Sequence, residues 1–163
     1  MQIKYLGGEK FDIRTKDTRI ELGYTIKVNG FSLPGPGEYE KSGIFTEGIA
    51  DNGNTIYLIR ADEMNLCYLG KIAHDLHEDE VKEIGNADIL FVPLGEDGSL
   101  TTKKALGLVS LIDPKIVIPM LYSDLTEFKK SEGITNGETD ILKIKKSELP
   151  EEERLNVILK SSL

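Results

Sequence analysis

The chain has 163 residues, 39% hydrophobic and 29% charged, which suits one soluble domain with a sizeable core. Its formal net charge of −8 repels phosphate backbones, and the short basic clusters "KIKK" and "FKK" form no stripe, so nucleic acid is not expected as a partner. No apolar run approaches the roughly 18 residues that cross a bilayer, and "MQIKYLGGEKFDI" lacks a signal-peptide core, so no membrane partner and a cytoplasmic location are expected.

The first third reads as antiparallel strands. "MQIKYL", "KFDIRT", "TRIEL" and "YTIKV" alternate or nearly so, between the turn formers Gly7-Gly8, Lys16-Asp17, Gly23 and Asn29-Gly30. Asn29-Gly30 is a two-residue hairpin signal, because both residues tolerate positive φ. "LPGPGEYEKSG" is expected to be a turn, and "IFTEGIA", "NTIYLIR" (across "DNGN") and "MNLCYL" close the meander. Cys67, the only cysteine, sits in that last apolar run, so it reads as a buried structural thiol in a reducing compartment.

After Leu69 the rhythm changes. "HEDEVKEIG" has a helical spread with acids in its first turn, and "ADILFVPLG" is a strand buried on both faces. "LTTKKALGLVSLI" is a helix behind a threonine cap, "PKIVIPM" a second buried strand, and "SDLTEFKKSEG" a short helix ending at Gly133. "DILKIKK" and "RLNVILK" fit closing strands, and "PEEE" a solvated turn or helix start. A meander followed by alternating strands and helices predicts an α/β (α+β) fold in one domain spanning 1–163.

Three motifs invite chemistry. "GPGEYEKS", Gly35 to Ser42, nearly spells a phosphate loop. Glu40 replaces its second glycine, however, and a strand follows it, so a rigid turn is the better reading. "PLGEDGSLTT" offers backbone N–H groups at a helix start beyond a strand end, but Glu96 and Asp97 oppose an anion there. "HDLH" holds both histidines. On a helix His74 and His77 share a face, so His74, Asp75 and His77 are the candidate ligands for a mononuclear metal. The simpler account is a helix N-terminus with partly exposed histidines. No Gly-x-Ser-x-Gly elbow is present.

The order "MQIKYLG", "PGEYEKSGIFTEGI", "NTIYLI…LCYLGKIAHDL", "ADILFVPLG", "DPKIVIPMLY" resembles the metallo-β-lactamase superfamily. The similarity is to its small prokaryotic branch of Zn-dependent hydrolases, to which lactonases are related, and it runs from Met1 to about Tyr122. The resemblance implies a reduced αββα sandwich and a zinc-activated water. It also implies four ligand stations, and none is filled. The His-x-His-x-Asp-His segment is missing between about residues 23 and 31, and "TEGIADNGNT" lacks its histidine. The metal-bridging aspartate of an "LGD" turn is Lys71 after Gly70, and the histidine of "PMHY" is Leu121 before Tyr122.

No zinc cofactor is therefore expected. The resemblance implies a catalytically inactive member kept for binding or assembly, as a homo-oligomer or in a complex with a related protein. Removing a strand–helix unit is expected to leave a sheet edge or an apolar face to be covered. One alternative is an enzyme with a relocated site: a mononuclear metal at His74, Asp75 and His77, or a metal-free site around Lys71 and Tyr122 where a buried lysine with a lowered pKa acts as base or Schiff-base nucleophile. Another is a module binding a small anionic metabolite in a vestigial pocket of Lys71, Gly70, Leu121, Tyr122 and Gly95.

Overall fold

Two β-sheets pack face to face, and the chain crosses from one to the other in the middle of the predicted meander. The computed structural model describes residues 1–162. Strands β1 (Gln2–Gly7), β2 (Lys10–Arg14), β3 (Arg19–Leu22), β4 (Lys27–Val28) and β5 (Phe31–Ser32) belong to the first sheet. Strands β6 (Gly37–Lys41), β7 (Ile44–Asp51), β8 (Asn54–Ala61) and β9 (Met64–Tyr68) begin the second. Helix α1 (Glu78–Ile84), β10 (Ile89–Pro93), α2 (Thr102–Ile112), β11 (Ile116–Met120) and α3 (Thr126–Ser131) follow. Two short ladders close the chain: β12 (Leu142–Lys143) against β1, and β13 (Leu155–Asn156) parallel to β11. The orders are β12-β1-β2-β3-β4-β5 and β13-β11-β10-β9-β8-β7-β6.

The stretch predicted as one long turn is half strand. Prolines 34 and 36 confine the turn, and Gly37–Lys41 then pairs with β7 across Ser42-Gly43, both at positive φ (53° and 75°). Asn29-Gly30 makes the expected tight hairpin between β4 and β5, at φ 47° and 80°. The two predicted closing strands shrink to two paired residues each.

Period-2 alternation builds the core between the sheets. Ile3, Phe11, Ile13 and Ile20 of the first sheet meet Ile59, Leu66, Tyr68 and Phe91 of the second. The Phe11 ring meets Phe91 edge-on at 4.7 Å between centroids. Strands β10 and β11 are buried on both faces, as their unbroken apolar runs predict. Their other face, with Cys67 and Leu69, packs against the helices. Helix α2 starts where the Thr101 hydroxyl accepts from Lys104 N–H at 3.4 Å, and it buries Ala105, Leu108, Val109 and Ile112 at helical spacing. Burial pushes the Cys67 thiol up to about 12, so it is an inert core group.

All three helices with buried apolar residues pack on the second sheet. The outer face of the first carries Lys4, Asp12, Glu21 and Lys27 in one cross-strand row, with Arg19 and Arg14 donating to Asp12 at 2.6 and 3.2 Å. The reduction of the αββα sandwich therefore falls on that outer layer. The apolar face expected to be left bare is charged instead, because water now covers it. Among the described residues, no helix is long and apolar enough to cross a membrane.

Candidate functional site

The turn after β9 is held by a side chain from another hairpin. Asn54 Nδ2 donates to Leu69 O (2.9 Å), and its Oδ1 accepts from Lys71 N–H (3.0 Å). Gly70, between them, is buried at φ +62°, and a Cβ there would lie 2.4 Å from Asn54 Oδ1. Only glycine fits both the conformation and the space. The turn thereby aims Lys71 outward at a fixed place.

Lys71 is not a buried, neutral lysine. Its side chain is 40% exposed, and its Nζ lies 3.2 Å from Asp97 and 3.6 Å from Glu9. The hydrogen bond to Asp97 and the charge of Glu9 raise its pKa above the ordinary value. The expectation of a lowered pKa is overturned, because two carboxylates reach the amine and water still does. Those carboxylates outnumber the ammonium, so the cluster carries no spare positive charge for an anion. Since the pair with Asp97 is exposed, Lys71→Met is expected to cost no more than about 1 kcal/mol in urea unfolding.

Beside this cluster opens a cleft of about 740 Å³ between the sheets, lined by Tyr24, Pro34, Asn54 and Tyr57 together with Glu9, Gly70 and Lys71. The other residues assigned to the vestigial pocket lie elsewhere. Leu121 is 2% exposed at φ +51°, with its N–H donating to Gly8 O at 3.1 Å. Tyr122 donates to Leu159 O at 3.5 Å and stacks on Tyr5. Gly95, at φ +101°, donates its N–H to Ser99 Oγ at 3.2 Å. The loop does join the cluster, but through Asp97.

The two histidines do not share a helical face. Helix α1 begins at Glu78 with His77 as its cap, where His77 N–H donates to Glu80 at 2.7 Å. His74 lies before the helix, its Nε2 against the Asp51 carboxylate and its Nδ1 2.9 Å from Asp75 O. Asp75 reaches instead toward Lys104 at 3.6 Å. An oxygen acceptor at each ring nitrogen favours the doubly protonated form of His74. The Asp75 carbonyl first, then Asp51, raises its pKa. Such a ring has no lone pair for a metal. Among the described residues no three His, Cys, Asp or Glu side chains converge as ligands would.

Of the four residues that matter here, Glu9, Asp51 and Asn54 carried no functional signal in the sequence, and Asp97 stood out only as an acid opposing an anion. Their partners lie 17 to 62 residues away: Lys71 for Glu9, Asn54 and Asp97, and His74 for Asp51.

A profile described as the beta-lactamase superfamily domain matches residues 10–121. A UPF0173 protein from Pyrococcus furiosus is 29% identical over 121 residues, covering 71% of this chain and 52% of its own length. A UPF0173 metal-dependent hydrolase from Methanopyrus kandleri is 25% identical over 120 residues, covering 68% and 52%. The chain spans about half the length of these curated relatives. Among solved structures, a Thermotoga maritima protein assigned as a Zn-dependent hydrolase of the metallo-beta-lactamase superfamily superposes with a TM-score of 0.81 at 22% identity, over 98% of each chain. A metallo hydrolase from Ignicoccus hospitalis gives 0.63 at 16% identity, over 88% of this chain and 99% of that one.

Proposed function

Since the chain belongs to the beta-lactamase superfamily domain family, we propose that it is a member without metal-dependent hydrolysis, kept for binding or assembly. The observation that carries this is Lys71, whose ammonium lies between Glu9 and Asp97 at the turn where the resemblance puts a metal-bridging carboxylate. A fixed cation there repels zinc and neutralises acids that a metal would otherwise claim. Leu121 supplies a buried alkyl group in place of an imidazole, and both ring nitrogens of His74 already face oxygen acceptors. The residues present do not fit zinc, in the family's arrangement or in one moved to His74, Asp75 and His77. The segment missing between about residues 23 and 31 supports the same reading, as Tyr24 and Thr25 there line the open cleft.

Protein purified without chelator is expected to contain far less than one equivalent of zinc. Its melting temperature should not respond to chelator or to added zinc. Stoichiometric zinc, with melting lowered by chelation, would overturn the proposal.

The cleft favours a second reading, a small-ligand module. Because Glu9 and Asp97 already use the charge of Lys71, a neutral polar ligand suits it better than an anionic metabolite. In a thermal-shift screen, neutral polyols are expected to stabilise more than phosphorylated or carboxylated compounds. The reverse order would restore the anionic alternative.

A further inference from the structure

The helix-bearing face of the second sheet is only half covered. Helices α1 to α3 pack over β9 to β11 and share a core with Ile56 of β8, whereas toward β6 Phe45 is 56% exposed and Leu58 only half-buried. A groove of about 450 Å³ lies there, between Ile84 and Ala87 on one side and Glu38 on the other.

The charges on this face are unbalanced. Glu38 lies directly opposite Glu47 in the β6–β7 ladder, and Glu40 opposite Phe45. Like charges in that position destabilise a sheet. None of the three glutamates has an ion-pair partner among the described residues. The cation on the same face, Arg60, donates instead to Asn65 at 3.0 Å. An acidic pair beside an exposed aromatic ring calls for a surface that brings lysine and an aliphatic side chain together.

The chain itself carries such a surface. On α2, Lys104, Gly107 and Leu111 form one exposed stripe beside Lys103, and Leu111 is 65% exposed. Nothing stands within 4 Å of where a Gly107 Cβ would be, so the helix can approach a partner closely. Among the described residues, Lys104 pairs only with the exposed Asp75, at 3.6 Å, and can exchange it.

We propose that this groove is a docking site for a second copy of the chain. Leu111 of one copy packs on Phe45 and Leu58 of the other, and Lys103 and Lys104 neutralise Glu38 and Glu47. The contact is on the face of the sheet rather than at its edge. Symmetric antiparallel pairing of β6 with itself would set Glu38 against Glu40, or a glutamate against its own copy. This inference rests on the assembly part of the proposed function.

Sedimentation equilibrium across a concentration series tests it. The mass is expected to rise above one chain with concentration at low salt, and to fall back as salt screens the lysine–glutamate contacts. Phe45→Asp and Leu111→Asp should each weaken association by about tenfold or more, with circular dichroism and melting preserved because both side chains are exposed. Glu47→Lys should likewise weaken it, and adding Lys104→Glu should restore it. A strictly monomeric wild type would overturn both this surface and self-assembly. An oligomer that survives Phe45→Asp and Leu111→Asp would overturn the surface alone.

Discussion

Gly70→Ala is expected to destabilise the protein by about 3 kcal/mol. The left-handed backbone at φ +62° costs an alanine on the order of 1 kcal/mol. The new Cβ, 2.4 Å from Asn54 Oδ1, also forces that side chain away and breaks its bonds to Leu69 and Lys71. Each lost hydrogen bond adds about 1 kcal/mol. The two contributions separate in a double-mutant cycle. With Asn54 already cut to alanine, Gly70→Ala should cost only its backbone share, about 1 kcal/mol. Urea unfolding of the four proteins measures this, and an equal cost in both backgrounds would show that Asn54 does not clamp the turn.

His74→Ala carries the second large effect, and it depends on pH. Asp51 is buried at 6% exposure, and among the described residues its Oδ2 is unpartnered and its Oδ1 meets only His74. Removing the imidazolium strands a buried carboxylate. Because the ring is 36% exposed and partly screened, the cost falls below the usual range for buried pairs, at about 2 kcal/mol. The sign with pH follows from linkage. His74 holds its proton more tightly folded than unfolded, so its contribution is complete below its ordinary value of 6.5 and fades as pH rises through the raised folded value. The gap between wild type and His74→Ala should therefore be largest near pH 6 and shrink under alkaline conditions. A gap that stays constant with pH would mean that the ring contributes packing rather than charge.

Much of the fold was legible in the sequence. "KFDIR" and "RIEL" alternate because one face meets the core and the other meets water, and "ILFVP" and "IVIPM" do not alternate because both faces are covered. The hairpin at Asn29-Gly30 and the threonine cap of α2 were equally plain. In "PGPGEYEK" local signals misled. The density of Pro and Gly marks the turn, but the next five residues are a strand because β7 is adjacent to receive them. In "HDLH" the helix N-terminus was legible, but the spacing also allowed one helical face for both histidines. The helix starts after it because Asp51, on another strand, holds His74 out of the turn.

The candidate site divides along the same line. By itself the sequence determined which groups are present: two histidines in all, a lysine after the Leu69-Gly70 turn, and a leucine before Tyr122. Those counts bear on zinc chemistry whatever the fold, since ligand chemistry depends on atom type. Only the tertiary structure decided what each group does. It placed Glu9 and Asp97 around Lys71, removing its free charge, and set Asp51 against His74. It left Glu38 facing Glu47 beside an uncovered Phe45. Charge and protonation depend on distances of a few ångströms between residues far apart in sequence, and the fold alone sets them.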